Sequence, residues 1–545
     1  MKFSNSLFFM AFCFSSTQRF FWSPSIFVHG FIAFRPTSTT ICASRKTHAH
    51  AKLHGHYQSK IERFPSLRET TRLSTRELFS SNIEIEGAVT NISIDTLGKT
   101  LGSAFQEGET DGIMQLAPSL IGHFSAEEII SGALEASNNN KGQAAGIINA
   151  MIASCSQLEN QSPENFVLAW EIYSTWENIA DELELYPDMV SFCATYSALT
   201  RAAEIDNDDD TDFFRHSASQ VLERAQRYSK KLAGTKRRKI LNTIARKGGR
   251  LNNNVIDHLS ELQQSYGHDF GVLYEDSDVV VINKPSGMVC FHSRKTTDGK
   301  IGRKKKNKKK KSKGLLKEEE FNSDISLEDA LIDVGISLST LNPDALGLVH
   351  RIDRGTSGCI VLAKNDDAHA KLVTEFFTRQ VKKRYTALVP YTAIDGSADI
   401  ENSGTIDEKV GGRPARSIYQ VEREVGKYAL LVGIETKTGR KHQVRMHCAG
   451  GLNRPIFLDP LFSTSHLNNK QGQLNTKKAT SAAVESTNRN DHVQILMEKI
   501  AEESGGRRFF LHASNLKIDN FSIDVSAAIP SWWGRVITDL ENAVP

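Results

Sequence analysis

Apolar positions recur with different periods in the two halves of the 545-residue chain. From 143 to 233 they return every three or four residues in four consecutive segments, which predicts four amphipathic helices in two tandem pairs. Pro163 and Pro187 stand at two of the predicted helix starts, where proline is tolerated. This pattern predicts an α-helical region at 143–233, after a poorly defined segment at 81–142.

The two helix pairs have two interpretations. The second pair, "YPDMVSFCATYSALTRAAE" and "ASQVLERAQRYSKKL", resembles one unit of the pentatricopeptide repeat family. The spacing between the pairs is longer and less regular than that family's period, and a small helical domain without repeats explains the pattern equally well. Because two such units would read very little RNA sequence, we expect an auxiliary module that adds affinity or docks a protein partner.

The pattern changes near residue 270. The apolar run from Val279 to Ile282 is bounded by turn residues, which predicts a strand, and a helix is predicted after Asn365. Four more strands are predicted, at 358–363, 383–390, 417–424 and 428–436. Strands and helices are mixed without a strict β-α-β order, so the pattern predicts a mixed or antiparallel α/β domain at 270–545.

Two polar stretches, 295–325 and 463–507, interrupt this domain and offer little apolar surface to bury. We predict that both are surface insertions. The first contains the basic run "RKKKNKKKKSK" at 303–313, which either is a solvated loop or makes sequence-independent contacts with phosphates.

The first 61 residues contain no Asp or Glu, many Ser and Thr, and an apolar run, "LFFMAFCF", that is too short to span a bilayer. This composition is typical of a targeting presequence. It resembles the two-part presequences of plastids acquired by secondary endosymbiosis, and a mitochondrial presequence is the alternative. We therefore expect residues 1–80 to be a disordered presequence, and the mature protein to lie in a plastid or mitochondrion without a membrane segment.

Charge and cysteine content narrow the classes of partner. The net charge is only +3, but Lys and Arg cluster at 235–250, within a predicted basic linker at 234–269, and such local runs bind phosphates. The seven cysteines are odd in number and none forms a CxxC pair, which argues against a disulfide framework or a zinc site. We expect a reducing compartment and neither a metal nor a cofactor.

One candidate for chemistry is the segment "HRIDRGTSG" at 350–358, where Asp353 lies between Arg351 and Arg354. A carboxylate beside guanidinium groups is held in its charged form, which suits a nucleophile or an electrostatic anchor better than a proton donor. The alternative is a structural Asp–Arg pair on the surface. A hydrolase using Ser357 or Cys359 is poorly supported, because the segment is not a G-x-S-x-G elbow and no base is evident.

The second candidate is the cationic segment "ETKTGRKHQVRMHCAGG" at 435–451, whose side chains favour phosphate. As a strand, it would direct Gln443 and Arg445 to one face and His442 and Val444 to the other. An inward arginine would then pair with a buried carboxylate. A solvated basic edge strand is the alternative.

Six segments, taken in their order along the chain, resemble the motifs of the RluA family of RNA pseudouridine synthases. They are "VLYEDSDVVVINKPSGMV", "HRIDRGTSGCIVLAKN", "KRYTALV", "TKTGRKHQVRMH", "RPIFLDPLF" and "FFLHASNLKI". The resemblance covers about 270–530 without the two insertions. It implies an α+β fold, with a mixed, mainly antiparallel sheet and a central cleft. It also implies an isomerase that acts on structured RNA, either ribosomal or transfer RNA, without metal or cofactor.

The resemblance also implies roles for individual residues. Asp353 is the catalytic aspartate, and Arg445 is expected to pair with it. Tyr385 is expected to stack on the target base and to help take the proton from C5, while Arg351 helps displace the base from its stack. The remaining RNA-binding residues are expected to be Arg354, Arg440, His442 and Gln443.

Two departures from the family's pattern lie in "LDPLF", where Leu458 replaces a glycine and Phe462 a tyrosine. A rival from another class is an organellar RNA-binding protein that uses the helices and the synthase-like domain without catalysis. The presence of Asp353, Tyr385 and Arg445 favours the enzyme.

Overall fold

The computed structural model describes residues 81–85, 88–92, 94–121, 123–157, 163–205, 211–233, 263, 269–292, 326–333, 336–394, 396–397, 400–462, 496–497, 499–500 and 508–542. The predicted presequence and the 295–325 insertion lie outside these residues, as do nearly all of the predicted linker and of the 463–507 insertion. Within the described ranges, no helix combines the length and apolar character needed to cross a bilayer.

The described residues divide into two compact units. The helical unit comprises those between 81 and 191 together with 201–205, and the sheet unit comprises 192–200 and the residues from 211 onward.

The helical unit begins with a β-hairpin and continues with helices that start well before residue 143. Its elements are β1 (Ser81–Ile85), β2 (Ala88–Ile92), α1 (Ile94–Gly108), α2 (Thr110–Leu116), α3 (Ala126–Ala136), α4 (Lys141–Cys155), α5 (Pro163–Leu183) and the two ends of α6 (Met189–Ile205). Fully buried side chains such as Leu101, Ile148 and Trp176 form its core. The resemblance to a repeat family stays a prediction.

The sheet unit is organised around nine strands among its described residues. They are β3 (Gly271–Glu275), β4 (Val279–Lys284), β5 (Ser357–Ala363), β6 (Lys382–Pro390), β7 (Ser403–Ile406), β8 (Ser417–Val425), β9 (Ala429–Thr436), β10 (Leu511–Ile518) and β11 (Ile523–Ser526). The order is β3-β4-β5-β10-β6-β9-β8-β7, with β11 also paired to β10. All pairs are antiparallel except β5 with β10. The predicted mixed, mainly antiparallel sheet and α+β class are confirmed.

Helices cover the sheet and complete two apolar cores. The helices of this unit are α7 (Thr211–Leu232), α8 (Leu327–Asp333), α9 (Asp366–Phe377), α10 (Gln443–Met446) and α11 (Ser531–Asn542). One core joins β4 and β5 to α8, and the other joins β6, β8 and β9 to α11, whose Trp533 is fully buried. Tyr385 on β6 packs against both cores, so it lies where the two halves of the sheet meet.

The predicted helix after Asn365 is confirmed as α9, and Asn365 caps it by accepting a hydrogen bond from Ala368 N. Residues 192–200 of α6 and the whole of α7 pack on this part of the sheet unit. Ser197 Oγ donates to Thr374 Oγ1 (2.9 Å), and Gln226 Nε2 donates to Asp366 Oδ2 (2.9 Å). Residues 192–200 and α7 therefore belong to the same unit as the sequence motifs.

The parallel pairing of β5 and β10 depends on Gly358. This residue has φ of +106°, a backbone conformation that residues other than glycine rarely adopt. It lies opposite Ala513 in the pairing register. A Cβ added at Gly358 would overlap the backbone carbonyl of Ala513. Only glycine therefore lets the two strands approach at the point where the Asp353 loop enters the sheet.

We predict that Gly358→Ala lowers the free energy of unfolding by about 3 kcal/mol or more, because backbone strain and steric overlap add at this site. Gly271→Ala on β3 is the matched control, since a Cβ there has nothing within 4 Å. Thermal unfolding of both variants measures the difference. Equal midpoints would show that the close approach of β5 and β10 is not required.

Candidate active site

Asp353 lies in the loop that precedes β5, and hydrogen bonds join this loop to the loop that follows β4. Ser286 Oγ donates to the carbonyl of Gly355 (2.6 Å), and Gly287 N donates to the carbonyl of Arg354 (2.8 Å). These bonds hold the backbone of the Asp353 loop in place. Its carboxylate remains 21% exposed and faces a cleft.

The side chain of Arg354 also joins these two loops. Its Nε donates to the carbonyl of Gly287 (2.8 Å), and its side chain is not among the residues that line the cleft. The structure therefore gives Arg354 a role in holding two loops together, which differs from the direct RNA contact predicted for it.

His350 also supports the Asp353 loop from within the protein. Its Nε2 accepts a hydrogen bond from Val361 N (3.0 Å), and its ring stacks on Phe376 with 4.5 Å between ring centres. Burial, and then the charge of Lys383, lower the pKa of His350 to about 3. The imidazole is thus neutral at physiological pH and acts as an acceptor for the strand.

Tyr385 lines the same cleft from β6. Burial raises the pKa of its phenol, and the negative charge of Asp353 raises it further. The phenol is therefore held in its protonated form near neutral pH. A general base works best when its pKa lies near the working pH, so this environment favours the predicted stacking role over the predicted removal of a proton.

Arg445 lies on the short helix α10 and not on the predicted strand. The chain leaves β9, and His442 adopts φ of +60°, a left-handed conformation that redirects the backbone into the helix. The predicted alternation of faces is therefore wrong, because Gln443 and Val444 are both buried, next to Arg445. A strand and a short helix starting at an unusual backbone conformation cannot be told apart by period over so few residues.

The guanidinium of Arg445 joins two carboxylates. It donates from Nε and Nη2 to the two oxygens of Asp459 (2.7 and 2.6 Å), and from Nη1 to Asp353 Oδ2 (2.9 Å). Arg445 is 4% exposed and the Asp459 side chain is fully buried. Burial alone would lower the pKa of Arg445, but its bonds to Asp459, and then to Asp353, raise it, so the group stays charged. The predicted proximity of Arg445 and Asp353 is observed.

Sequence reasoning missed Asp459. Besides holding Arg445, its Oδ1 accepts hydrogen bonds from the backbone N–H groups of Leu461 (2.8 Å) and Phe462 (3.2 Å). An Asp followed by Pro is a turn signal, so "LDPLF" on its own predicts only a turn. No local pattern reveals that the same carboxylate also fixes an arginine fourteen positions earlier.

His442 faces Oδ1 of Asp353, the carboxylate oxygen that Arg445 does not contact. Its Nε2 lies 3.6 Å from Asp353 Oδ1, and its ring meets Phe462 edge to face. Burial lowers the pKa of His442, and Arg445 and Lys441 lower it further against the opposing effect of Asp353. The ring is thus neutral near pH 7.

Cations surround the mouth of the cleft. Arg351 is exposed, and its guanidinium lies over the ring of Phe291, with 5.5 Å to the ring centre. Burial lowers the pKa of Lys441, and the charge of Arg351 lowers it further, which is the effect of concentrated positive charge. The cleft lining includes all predicted site residues except Arg354: Arg351, Asp353, Tyr385, Arg440, His442, Gln443 and Arg445. Among the described residues, no group of His, Cys, Asp and Glu side chains is arranged to hold a metal.

Gln443 was predicted to bind RNA, but only 4% of it is exposed. Its Nε2 donates to the carbonyl of Arg416 (2.9 Å) and to Ser417 Oγ (3.0 Å). Its Oε1 accepts from Thr438 Oγ1 (2.7 Å) and from Arg440 N (3.0 Å). These four bonds use the full capacity of the amide, so Gln443 holds loops and does not offer a group to RNA.

Ser357 does have a histidine beside it, which the sequence did not indicate. Ser357 Oγ lies 2.9 Å from His512 Nδ1, while His512 Nε2 lies 3.1 Å from the carbonyl of Ala527. The carbonyl requires the proton on Nε2, so Nδ1 accepts from the serine. Both side chains are buried and neither lines the cleft, which removes the geometric basis for a serine hydrolase.

The two departures in "LDPLF" have visible consequences. Leu458 has φ of +63°, a conformation that costs a non-glycine residue roughly 1–2 kcal/mol. Its side chain packs against the larger apolar core, and this burial offsets the strain. Phe462 lies 5.2 Å, ring centre to guanidinium carbon, from Arg445, where an apolar ring shields the ion pair from water.

Residues 278–450 match the family model for RNA pseudouridylate synthase. The curated proteins that are similar to this chain include the following three. An uncharacterized RNA pseudouridine synthase of Mycoplasma genitalium is 31% identical over 209 residues, which is 36% of this chain and 57% of that protein. The uncharacterized RNA pseudouridine synthase YlyB of Bacillus subtilis is 32% identical over 208 residues, 36% of this chain and 58% of that protein. The ribosomal large subunit pseudouridine synthase D of Xanthomonas campestris is 27% identical over 288 residues, 50% of this chain and 69% of that protein.

The matched segment contains Asp353, Tyr385 and Arg445, and it ends before Asp459 and β10. The chain spans a little over half the length of the first two of these relatives. The resemblance to the RNA pseudouridine synthases stated from the sequence motifs is confirmed for this domain.

We predict that Asp459→Asn lowers the free energy of unfolding by about 3 kcal/mol, because it removes one partner of a buried ion pair and leaves the charge of Arg445 without full compensation. Asp519→Asn is the control: Asp519 pairs with Lys382 at 3.3 Å, but both side chains are more than half exposed. Thermal unfolding should show a large shift for the first variant and no measurable shift for the second. Similar small shifts would mean that the Asp459 pair contributes no more than a surface pair.

Proposed function

We propose that this protein is an RNA pseudouridine synthase that converts uridine to pseudouridine in structured RNA. The observation that carries the proposal is the geometry of Asp353 in a cleft lined by Tyr385 and by cations. One carboxylate oxygen is fixed by Arg445 at 2.9 Å, while the other faces the cleft side occupied by His442. A nucleophile needs this combination of fixed orientation and an oxygen left for attack.

The isomerisation of uridine requires a nucleophile, which Asp353 supplies, and no co-reactant. Isomerisation breaks the bond between N1 of uracil and C1′ of the ribose and forms a bond between C5 and C1′. C5 loses its proton and N1 gains one, so the reaction is balanced without an oxidant, a reductant or an energy source. Asp353 attacks either C1′ or C6 of the base, and both routes begin from the ionised carboxylate.

Arg445 holds that carboxylate in a fixed orientation. Its two bonds to Asp459 fix the plane of the guanidinium, and the remaining Nη1 then meets Asp353 in a set direction. Because Asp459 already takes up part of the positive charge of Arg445, Asp353 is anchored without being neutralised completely. This balance supports a role for Asp353 as nucleophile.

The cleft suits a base that has been turned out of its RNA helix. An enzyme that works on a base within folded RNA must first flip that base into a pocket. Tyr385 offers an aromatic face for it, and Arg351, supported by Phe291, is placed at the mouth where a side chain can fill the vacated stack. We propose ribosomal or transfer RNA as the substrate and a plastid or mitochondrion as the compartment.

The test is isomerisation of uridine in unmodified ribosomal and transfer RNA transcripts by the full chain. Asp353→Ala should reduce the single-turnover rate by at least about 10⁴-fold, as loss of a nucleophile does, and leave the dissociation constant for the RNA within about threefold. Asp539→Ala, an exposed carboxylate on α11, is the control and should behave like the wild type.

An active Asp353→Ala protein would rule out Asp353 as the nucleophile. A wild-type protein that binds these RNAs tightly but isomerises no uridine in any of them would instead favour a non-catalytic RNA-binding protein.

A further inference from the structure

Two loops at one side of the cleft are joined into a single rigid surface, here named the basic lip, formed by residues 413–417 and 437–443. Lys437 N donates to the carbonyl of Arg416 (3.1 Å), and Arg416 N donates to Thr438 Oγ1 (3.0 Å). Arg440 Nε reaches across to the carbonyl of the first loop's proline (2.9 Å). The lip therefore extends the pairing of β8 and β9 beyond the ends of both strands.

Gln443 is the centre of the basic lip. Its amide bonds to both loops at once, as described above, and is buried beneath them. Two glycines, Gly411 and Gly412, with φ of +62° and +81°, form a tight turn just before the lip, closed by a bridge between Val410 and Arg413. The backbone positions of the lip are thus set before any ligand arrives.

The side chains of the basic lip carry an excess of positive charge. Residues 413–417 and 437–443 contain five Lys and Arg and no Asp or Glu, and the adjoining 407–412 and 435–436 add one Lys and three acidic residues. Arg416 is 59% exposed and its partner Asp407, at 3.4 Å, is 60% exposed. In the Lys437–Glu435 pair the two side chains are 46% and 34% exposed. Such exposed pairs contribute little, so these cations can exchange a carboxylate for a phosphate at small cost.

The basic lip borders the cleft that holds Asp353. Six of its residues line the cleft directly: Thr438, Gly439, Arg440, Lys441, His442 and Gln443. Any strand of RNA whose nucleotide enters the cleft must place its neighbouring phosphates against the wall of the cleft mouth, because the backbone is continuous on both sides of a flipped base.

We propose that the basic lip binds the RNA backbone next to the target nucleotide, through Arg413 and Arg416 on the first loop and Lys437 and Lys441 on the second. This inference rests on the proposed function and adds a surface to it. The lip contributes affinity that does not depend on sequence, since cations contact phosphates and not base edges. Its internal hydrogen bonds lower the ordering cost of binding, as in other preorganised sites.

The experiment measures the dissociation constant of the full chain for bulk tRNA over a series of potassium chloride concentrations. The double variant Arg413→Ser with Arg416→Ser should lower the slope of log affinity against log salt by about 1.5, since each phosphate contact contributes about 0.7–0.9. At about 0.15 M salt this corresponds to roughly tenfold weaker binding.

The matched control removes the same charge elsewhere in the sheet unit. Arg423 lies at the opposite end of β8, where it pairs with Glu541 of α11, and Arg535 is exposed on α11. Arg423→Ser with Arg535→Ser should leave the slope as in the wild type. The proposal would be overturned if the salt slope fell equally in both double variants, or if it did not fall in the Arg413→Ser, Arg416→Ser variant.

A second pair of variants tests the rigidity of the basic lip without changing its charge. Thr438→Val removes the hydroxyl that bonds to Arg416 N and Gln443 Oε1, and Thr438→Ser restores it. The valine variant should bind bulk tRNA several-fold more weakly with an unaltered salt slope, and the serine variant should recover. Binding is scored apart from isomerisation. The double variant at Arg413 and Arg416 could lower the salt slope even if the wild-type protein isomerises no uridine. That result would overturn the proposed function and still support phosphate binding by the basic lip.

Discussion

A single buried guanidinium organises this site. Arg445 is held by two bonds to Asp459 and donates from Nη1 to Asp353, and only 4% of it is exposed. A charge in that position costs several kcal/mol of desolvation unless its partners are placed accurately. The rings of Phe509 and Phe462 lie beside it, with their centres 4.5 and 5.2 Å from the guanidinium carbon. The loops that carry the two aspartates are correspondingly fixed by backbone hydrogen bonds.

The electrostatics of the cleft separate its interior from its mouth. In the interior, the paired carboxylates balance Arg445, and His350, His442 and the Tyr385 phenol are held neutral by burial and by neighbouring charges. At the mouth, burial lowers the pKa of Lys441, and the positive charges of Arg351 and Arg445 lower it further. A polyanion with an uncharged base fits this division, because its phosphates meet the mouth and its base meets the interior.

Much of the fold followed from the sequence because its signals are local. The apolar run of β4, the cap at Asn365 and the apolar periodicity of α7 each depend on a few neighbouring residues. The site was predictable only in part. The motifs indicated Asp353, Tyr385 and Arg445, but three features depend on distant contacts that no local pattern encodes. Asp459 holds Arg445, Gln443 turns inward to join two loops, and His442 adopts a left-handed backbone that replaces the predicted strand with a helix.

The most direct measurement is a map of pseudouridine at single-nucleotide resolution in cellular RNA, with and without this protein. One or a few uridines in ribosomal or transfer RNA should lose the modification when the protein is removed. Wild-type protein should restore it, and protein with Asn at position 353 should not. An unchanged map, or full restoration by the Asp353→Asn protein, would contradict the assignment of Asp353 and its arginine as the centre of an RNA pseudouridine synthase.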